Sequence, residues 1–262
     1  MESETAIEQE SVAKRSLNFK LIKPDKSLQD FVYCFSSLHN LSDFNDGIII
    51  PNGRIDLIFS KNKQRQFRIS LLGLETKPKR MPKQSISDFF SISFNPLAIE
   101  YVFQQPIADI LNKGRELPVD FWGFSIKDLD DFKTFCRKAS LKIKSLLPEE
   151  TDQRKHKLFE LIFATNGEIS VKELSEEIHW SPRQINRYFN QQFGISLKAY
   201  CNILRFQASL PHIKAGRLSP QLNFTDQSHF IKEVRKLSGV SPKELAKNQN
   251  DRFLQFLAVD KK

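Results

Sequence analysis

The chain has 262 residues, 40 of them Lys or Arg and 31 Asp or Glu, for a formal charge of +9. That is length for one large domain or two ordinary ones, and a pI near 9.4 points to an acidic partner such as nucleic acid or an anionic membrane. With 40% hydrophobic residues, 23 Phe among them, wholesale disorder is excluded. No apolar run approaches the ~20 residues needed to cross a bilayer. The opening Met1–Glu10 is too acidic and polar for a secretory or transit signal. The expectation is a soluble, cytoplasmic protein with no membrane partner.

Residues 1–16 read as a polar, flexible tail. From 17 to about 96 the signal is mostly strand: Phe31, Tyr33 and Phe35 alternate with Val32 and Cys34, and Gly47–Phe59 reads as two strands around a Pro51-Asn52-Gly53 turn. Phe67–Leu74 and Phe89–Phe94 are further short strands. Strands this short with turn signals between them predict a small barrel or sandwich. Residues 97–111 turn helical with a break before Pro106. Over 126–147, Leu129, Phe132, Phe135, Ala139, Ile143 and Leu146 fall on one helical stripe. Pro148–Gln153 is polar and marks a linker at 148–155, after which the pattern is all helical. The predicted class is α+β: a β-rich domain over 17–147 with flanking helices, then an all-α domain over 156–262.

Charge separates the two parts. Residues 1–150 carry a balance of +2 and residues 151–262 one of +7, and within 183–236 nine basic residues face two acidic ones. A concentrated surplus is the footprint of a phosphate-binding face.

A 45-residue shift aligns the C-terminal part with itself. Ile185 falls on Phe230, Arg187 on Lys232, Phe189 on Val234, and Gly194-Ile195-Ser196 on Gly239-Val240-Ser241. In the first copy Ser170 and Glu173 form a capping box, followed by Val171, Leu174 and Ile178 on one face. Ser181, Pro182 and Gln184 start a second helix that buries Ile185, Tyr188, Phe189 and Phe193 and stops at Gly194. Its other face carries Arg183, Asn186, Arg187 and Asn190, side chains suited to base edges and phosphates. Two helices joined by a tight turn, the second exposing Arg and Asn, predict a helix-turn-helix. The 17-residue connection Leu197–Ile213 would span roughly 25 Å as helix, against about 34 Å between successive major-groove segments on one face of DNA.

Asp226-Gln-Ser-His-Phe230, Gly239-Val-Ser-Pro242, Arg205 and the spaced Ser181, Arg183, Ile185, Arg187 and Phe189 resemble the AraC/XylS family of bacterial transcription regulators over roughly 155–247. The resemblance implies two helix-turn-helix subdomains on a connecting helix and binding to double-stranded promoter DNA. The first reading helix would span Ser181–Phe193, with Ser181, Arg183, Gln184, Asn186, Arg187 and Asn190 toward DNA. The second would span Asp226–Leu237, with Gln227, Ser228, Lys232 and Arg235. It also implies, for the N-terminal part, a domain that binds a small-molecule effector or forms a homodimer, and contact with RNA polymerase. The alternative is a non-specific, architectural DNA binder with a degenerate second unit.

The second copy departs from the first. Val171, Leu174 and Ile178 correspond to Gly216, Ser219 and Asn223, so the apolar stripe of the supporting helix is lost and Arg217–Phe224 is short. Pro211 late in the connecting helix predicts a kink or an early end. No catalytic or metal site is expected. Cys34, Cys136 and Cys201 show no C-x-x-C spacing, the five His form no ligand pair, and neither a Gly-rich phosphate loop nor a nucleophile elbow occurs. Cys201 and Trp122 read as core, Trp180 as a plug at the turn, and His229 as packing beside the turn or meeting a phosphate. The apolar Asn250–Leu257 packs on the domain or on a second subunit.

Overall fold

The computed structural model describes residues 18–39, 47–80, 86–219, 224, 226–248 and 253; the expected tail over 1–16 and all but Phe253 of the segment 250–257 lie outside them. In chain order the strands are β1 (Asn18–Ile22), β2 (Val32–His39), β3 (Ile48–Ile49), β4 (Ile55–Asn62), β5 (Phe67–Leu72), β6 (Lys79–Arg80), β7 (Ile86–Phe94) and β8 (Gly114–Leu117). Six of them form one antiparallel sheet in the order β1-β2-β7-β4-β5-β8, while β3 and β6 pair separately. The sheet is open, with β1 and β8 at its edges, so the barrel of the sequence reading does not close. The predicted α+β class holds.

Period-2 alternation sorts the two faces of this sheet. Ile55, Leu57 and Phe59 of β4, with Phe90, Ile92 and Phe94 of β7, are buried on one face. Against it lies α1 (Phe132–Leu146), which buries Phe132, Phe135, Ala139 and Ile143. Phe59, Phe90, Phe124 and Phe135 meet ring to ring at 4.7–5.3 Å, in the tilted and edge-on geometries that aromatic quadrupoles favour. Trp122 stacks on Phe103 and Phe121 in the same layer, the packing role expected of it. The other face carries Cys34, Ser36, Asp56, Ser91 and Ser93 and lines a cavity.

Three local expectations are corrected. Gly47–Phe59 is no hairpin: β3 and β4 belong to different sheets, and the Pro51-Asn52-Gly53 corner is shaped by Asn52, whose side chain accepts from the Arg54 N–H at 2.8 Å. The stripe over 126–147 is two elements. A 3₁₀ turn at Ile126–Leu129 precedes α1, which starts afresh where the Asp131 carboxylate accepts from the N–H groups of Lys133 and Thr134. Over 97–111 there is no α-helix; a π turn at Ile99–Phe103 and a 3₁₀ turn at Ala108–Ile110 flank Pro106. Strand β8 had no counterpart in the sequence reading.

The remaining elements are α2 (Gln153–Ala164), α3 (Val171–Ile178), α4 (Pro182–Phe193), α5 (Leu197–Lys214), α6 (Gln227–Ser238) and α7 (Pro242–Lys247). Helix α5 runs three residues past Pro211. Proline there removes one donor, the one that would serve the Gln207 carbonyl, yet the helix continues and the Ala215 N–H closes its last turn on the Pro211 carbonyl at 3.0 Å, so the early end does not occur. The aromatic rings of Phe159, Phe189, Phe193 and Tyr200 tie α2, α4 and α5 into one cluster.

Candidate nucleic-acid interface

Helices α3 and α4 make the first helix-turn-helix. Ser170 caps α3 and Glu173 reaches back to the Ser170 N–H at 2.9 Å. His179, at φ 56°, ends the helix in a left-handed turn. Ser181 then caps α4: its Oγ accepts from the Gln184 N–H, and Gln184 Oε1 accepts from the Ser181 N–H at 2.8 Å. Gly194, at φ 74°, closes α4 by donating its N–H to the Asn190 carbonyl. One face of α4 is locked in the core through Ile185, Tyr188, Phe189 and Phe193. Trp180 packs edge-on against Tyr188 at the turn, the plug the sequence suggested.

The opposite face of α4 separates into two groups. Arg183 and Arg187 are exposed and have no partner among the described residues, so both guanidinium forks are available. Ser181 and Gln184 are engaged in the capping box. Asn186 and Asn190 donate to the carbonyls four residues earlier, at 3.0 and 2.8 Å, bonds a base edge would have to displace.

The second unit repeats the first in its reading helix. Helix α6 begins and ends forty-five residues after α4. Asp226 replaces Ser181 as the cap, accepting from the His229 N–H at 2.7 Å. Gly239, at φ 80°, stops α6 as Gly194 stops α4, and Ser241 caps α7 as Ser196 caps α5. The supporting helix is not repeated among the described residues. Arg217–Ser219 and Phe224 are non-helical, and residues 220–223 and 225 lie outside them. Gln227 instead closes the gap by donating to the Leu218 carbonyl at 2.8 Å. Ser228, Lys232 and Arg235 are exposed. His229 packs its ring against Phe224. Helix α5, whose 18 residues span about 27 Å, carries both units, and Asn202 on it donates to Glu233 of α6.

The sheet domain grips this helical part at residues that sequence reasoning did not single out. Glu100 accepts from Lys155 Nζ at 2.9 Å and from the hydroxyl of Tyr188, on α4 itself, at 3.3 Å. Burial first, and the Glu100 charge second, push that phenol up. Asp30 meets His156 at 2.9 Å, and the Ile107 N–H donates to the Gln192 carbonyl near the end of α4. The three cysteines are buried. Burial pushes the Cys34 and Cys136 thiols up to about 12 and Cys201 up to about 11, away from the reactive thiolate range. No helix among the described residues is long and apolar enough to cross a membrane.

Residues 174–248 match the family described as a helix-turn-helix domain. The C-terminal part of this chain is accordingly a helix-turn-helix domain of the AraC type, the DNA-binding domain of a class of transcription regulators. Residues 20–116 match a family described as a domain of unknown function, DUF6597. No curated protein matches the chain. Among solved structures it is similar to ToxT from Vibrio cholerae O395, at 14% identity and a TM-score of 0.39, over 88% of this chain and 96% of that one. It is also similar to ToxT from Vibrio cholerae strain SCE256 with an unsaturated fatty acid bound, at 13% identity and a TM-score of 0.40, over 88% and 94%.

Proposed function

We propose that the chain is a sequence-specific, DNA-binding transcription regulator in which α4 reads bases in the major groove. The observation that carries this reading is the pair Arg183 and Arg187, exposed and unpartnered on a helix whose other face is fixed in the core. Arg is the commonest reader of guanine, through two parallel hydrogen bonds. Helix α6 lies on the next groove segment, with Lys232 and Arg235 on phosphates and Gln227 and Ser228 near the base edges. The boundary between the two functions falls in the segment 148–155, and the sheet domain over 17–147 serves as the sensor for a small-molecule effector.

A mobility-shift titration with a selected duplex tests this. Arg183→Ala and Arg187→Ala should each weaken binding by about 5- to 150-fold, the equivalent of about 1–3 kcal/mol per lost base contact. Affinity for random DNA equal to that for the selected site would instead support an architectural binder.

A further inference from the structure

The sheet face turned away from α1 closes over a cavity of about 350 Å³. Strand register sets Cys34, Ser93, Asp56 and Leu72 in one row across β2, β7, β4 and β5. Ser36 and Ser91, hydroxyl to hydroxyl at 2.7 Å, lie in the next. The opposite wall belongs to the helical part: Phe163 of α2 and Leu204, Gln207 and Ala208 of α5.

Charge in this cavity is paired by sign. The Arg54 guanidinium is held between the rings of Tyr33 and Phe163, 4.5 and 4.7 Å from their centroids, and its enclosed Nη1 has no hydrogen-bond partner. Asp56, in β4, lines the same cavity and accepts from the Ser93 hydroxyl at 2.6 Å. Burial pushes its carboxyl up, the mark of a desolvated acid with incomplete compensation. Glu75 and Lys79, 3.5 Å apart, add a second pair of opposite charges.

This balance selects the occupant. A molecule with only a carboxylate would satisfy Arg54 and bring its charge against Asp56 and Glu75. One with only an amine would do the reverse. An apolar molecule would seal both ions away from water with their charge only partly compensated, the costliest arrangement. The volume, at the low end of small-molecule sites, calls for a compact ligand. We propose that the cavity is the effector site and takes a dipolar molecule of the free amino-acid class, its carboxylate on the Arg54 guanidinium and its ammonium on Asp56.

The proposal rests on the sensor reading of the sheet domain and adds a route to DNA binding. Arg54 follows the loop that α5 holds by two bonds: Gln207 Nε2 donates to the Pro51 carbonyl at 2.5 Å and the Tyr200 hydroxyl to the Gly53 carbonyl at 3.2 Å. A carboxylate drawing on Arg54 therefore pulls on the helix that carries both reading helices.

The test is a thermal-shift and calorimetric screen of the full chain against the twenty common amino acids singly. The best is then compared with its deaminated acid and its decarboxylated amine. At least one amino acid should bind, at least tenfold tighter than either analogue. Arg54→Gln should cut that affinity at least tenfold, and Asp56→Asn should abolish the preference over the deaminated acid. Arg54→Lys, which keeps the charge and loses the planar fork, serves if Arg54→Gln fails to fold. Binding by none of the twenty, or equal binding of the deaminated acid, overturns the proposal. DNA selection without ligand runs in parallel. Specific DNA binding without amino-acid binding overturns the ligand class alone, and the converse overturns the regulator reading alone.

Discussion

Tyr200, in the connecting helix, donates its hydroxyl to the carbonyl of Gly53 at 3.2 Å, across 147 positions of sequence. The bond is buried, and burial pushes the phenol well above its ordinary range. Tyr200→Phe leaves the Gly53 carbonyl enclosed without a donor and should cost about 1–3 kcal/mol. Gly53→Ala should cost at least about 1 kcal/mol, since φ is 71° and an added Cβ would stand 3.1 Å from Leu204 Cδ2. Chemical denaturation measures both.

The two helix stops should respond unequally. Gly194 and Gly239 share the left-handed conformation, but a Cβ at Gly194 would meet the backbone of Ala108 at 3.1–3.2 Å, whereas one at Gly239 would meet only the Pro78 side chain, at 3.3 Å. Each Gly→Ala change carries the left-handed penalty of about 1–2 kcal/mol. Gly194→Ala should lower the melting temperature further than Gly239→Ala. Equal losses would mean that the Ala108 contact adds nothing.

What the sequence made legible was local. Ser181, Gln184 and Gly194 act within one helix, through bonds spanning three or four residues, and the pattern of α4 was readable to the residue. Gly239 and Ser241 repeated that grammar and placed α6. The Pro51-Asn52-Gly53 corner failed because its conformation serves a partner in α5, which no local rule sees. Arg54 and Asp56 read only as part of a strand, since the rings and hydroxyl that define their surroundings come from β2, α2 and β7. Of the reading face, Arg183 and Arg187 were visible as residue types at helical spacing. That the Asn186 and Asn190 amides bond within the helix was not.

Asp56 links stability to pH. Burial raises its carboxyl above the ordinary 3.8, so the folded chain holds a proton that the unfolded chain has released. Its contribution therefore falls as pH rises from 3.8 through the raised value. Asp56→Asn removes that loss. Relative to the parent, the variant should gain melting temperature as pH rises above 3.8. A difference independent of pH would mean that Asp56 titrates normally.

Lys232 is exposed and unpaired among the described residues, on a helix placed here against the DNA backbone. Lys232→Ala should weaken binding about equally on all sequences and reduce the slope of log affinity against log salt by about 1. A change confined to one base position would make Lys232 a base reader.

The central claim is that α4 reads sequence, and selection from random duplexes with the full-length chain at physiological salt tests it most directly. The expected result is one strong element, with a weaker flank about 10 base pairs away where α6 rests. The strong element should lose its preference in Arg183→Ala or Arg187→Ala while the flank persists. Failure to enrich any motif, or a motif unchanged in both variants, would contradict the claim.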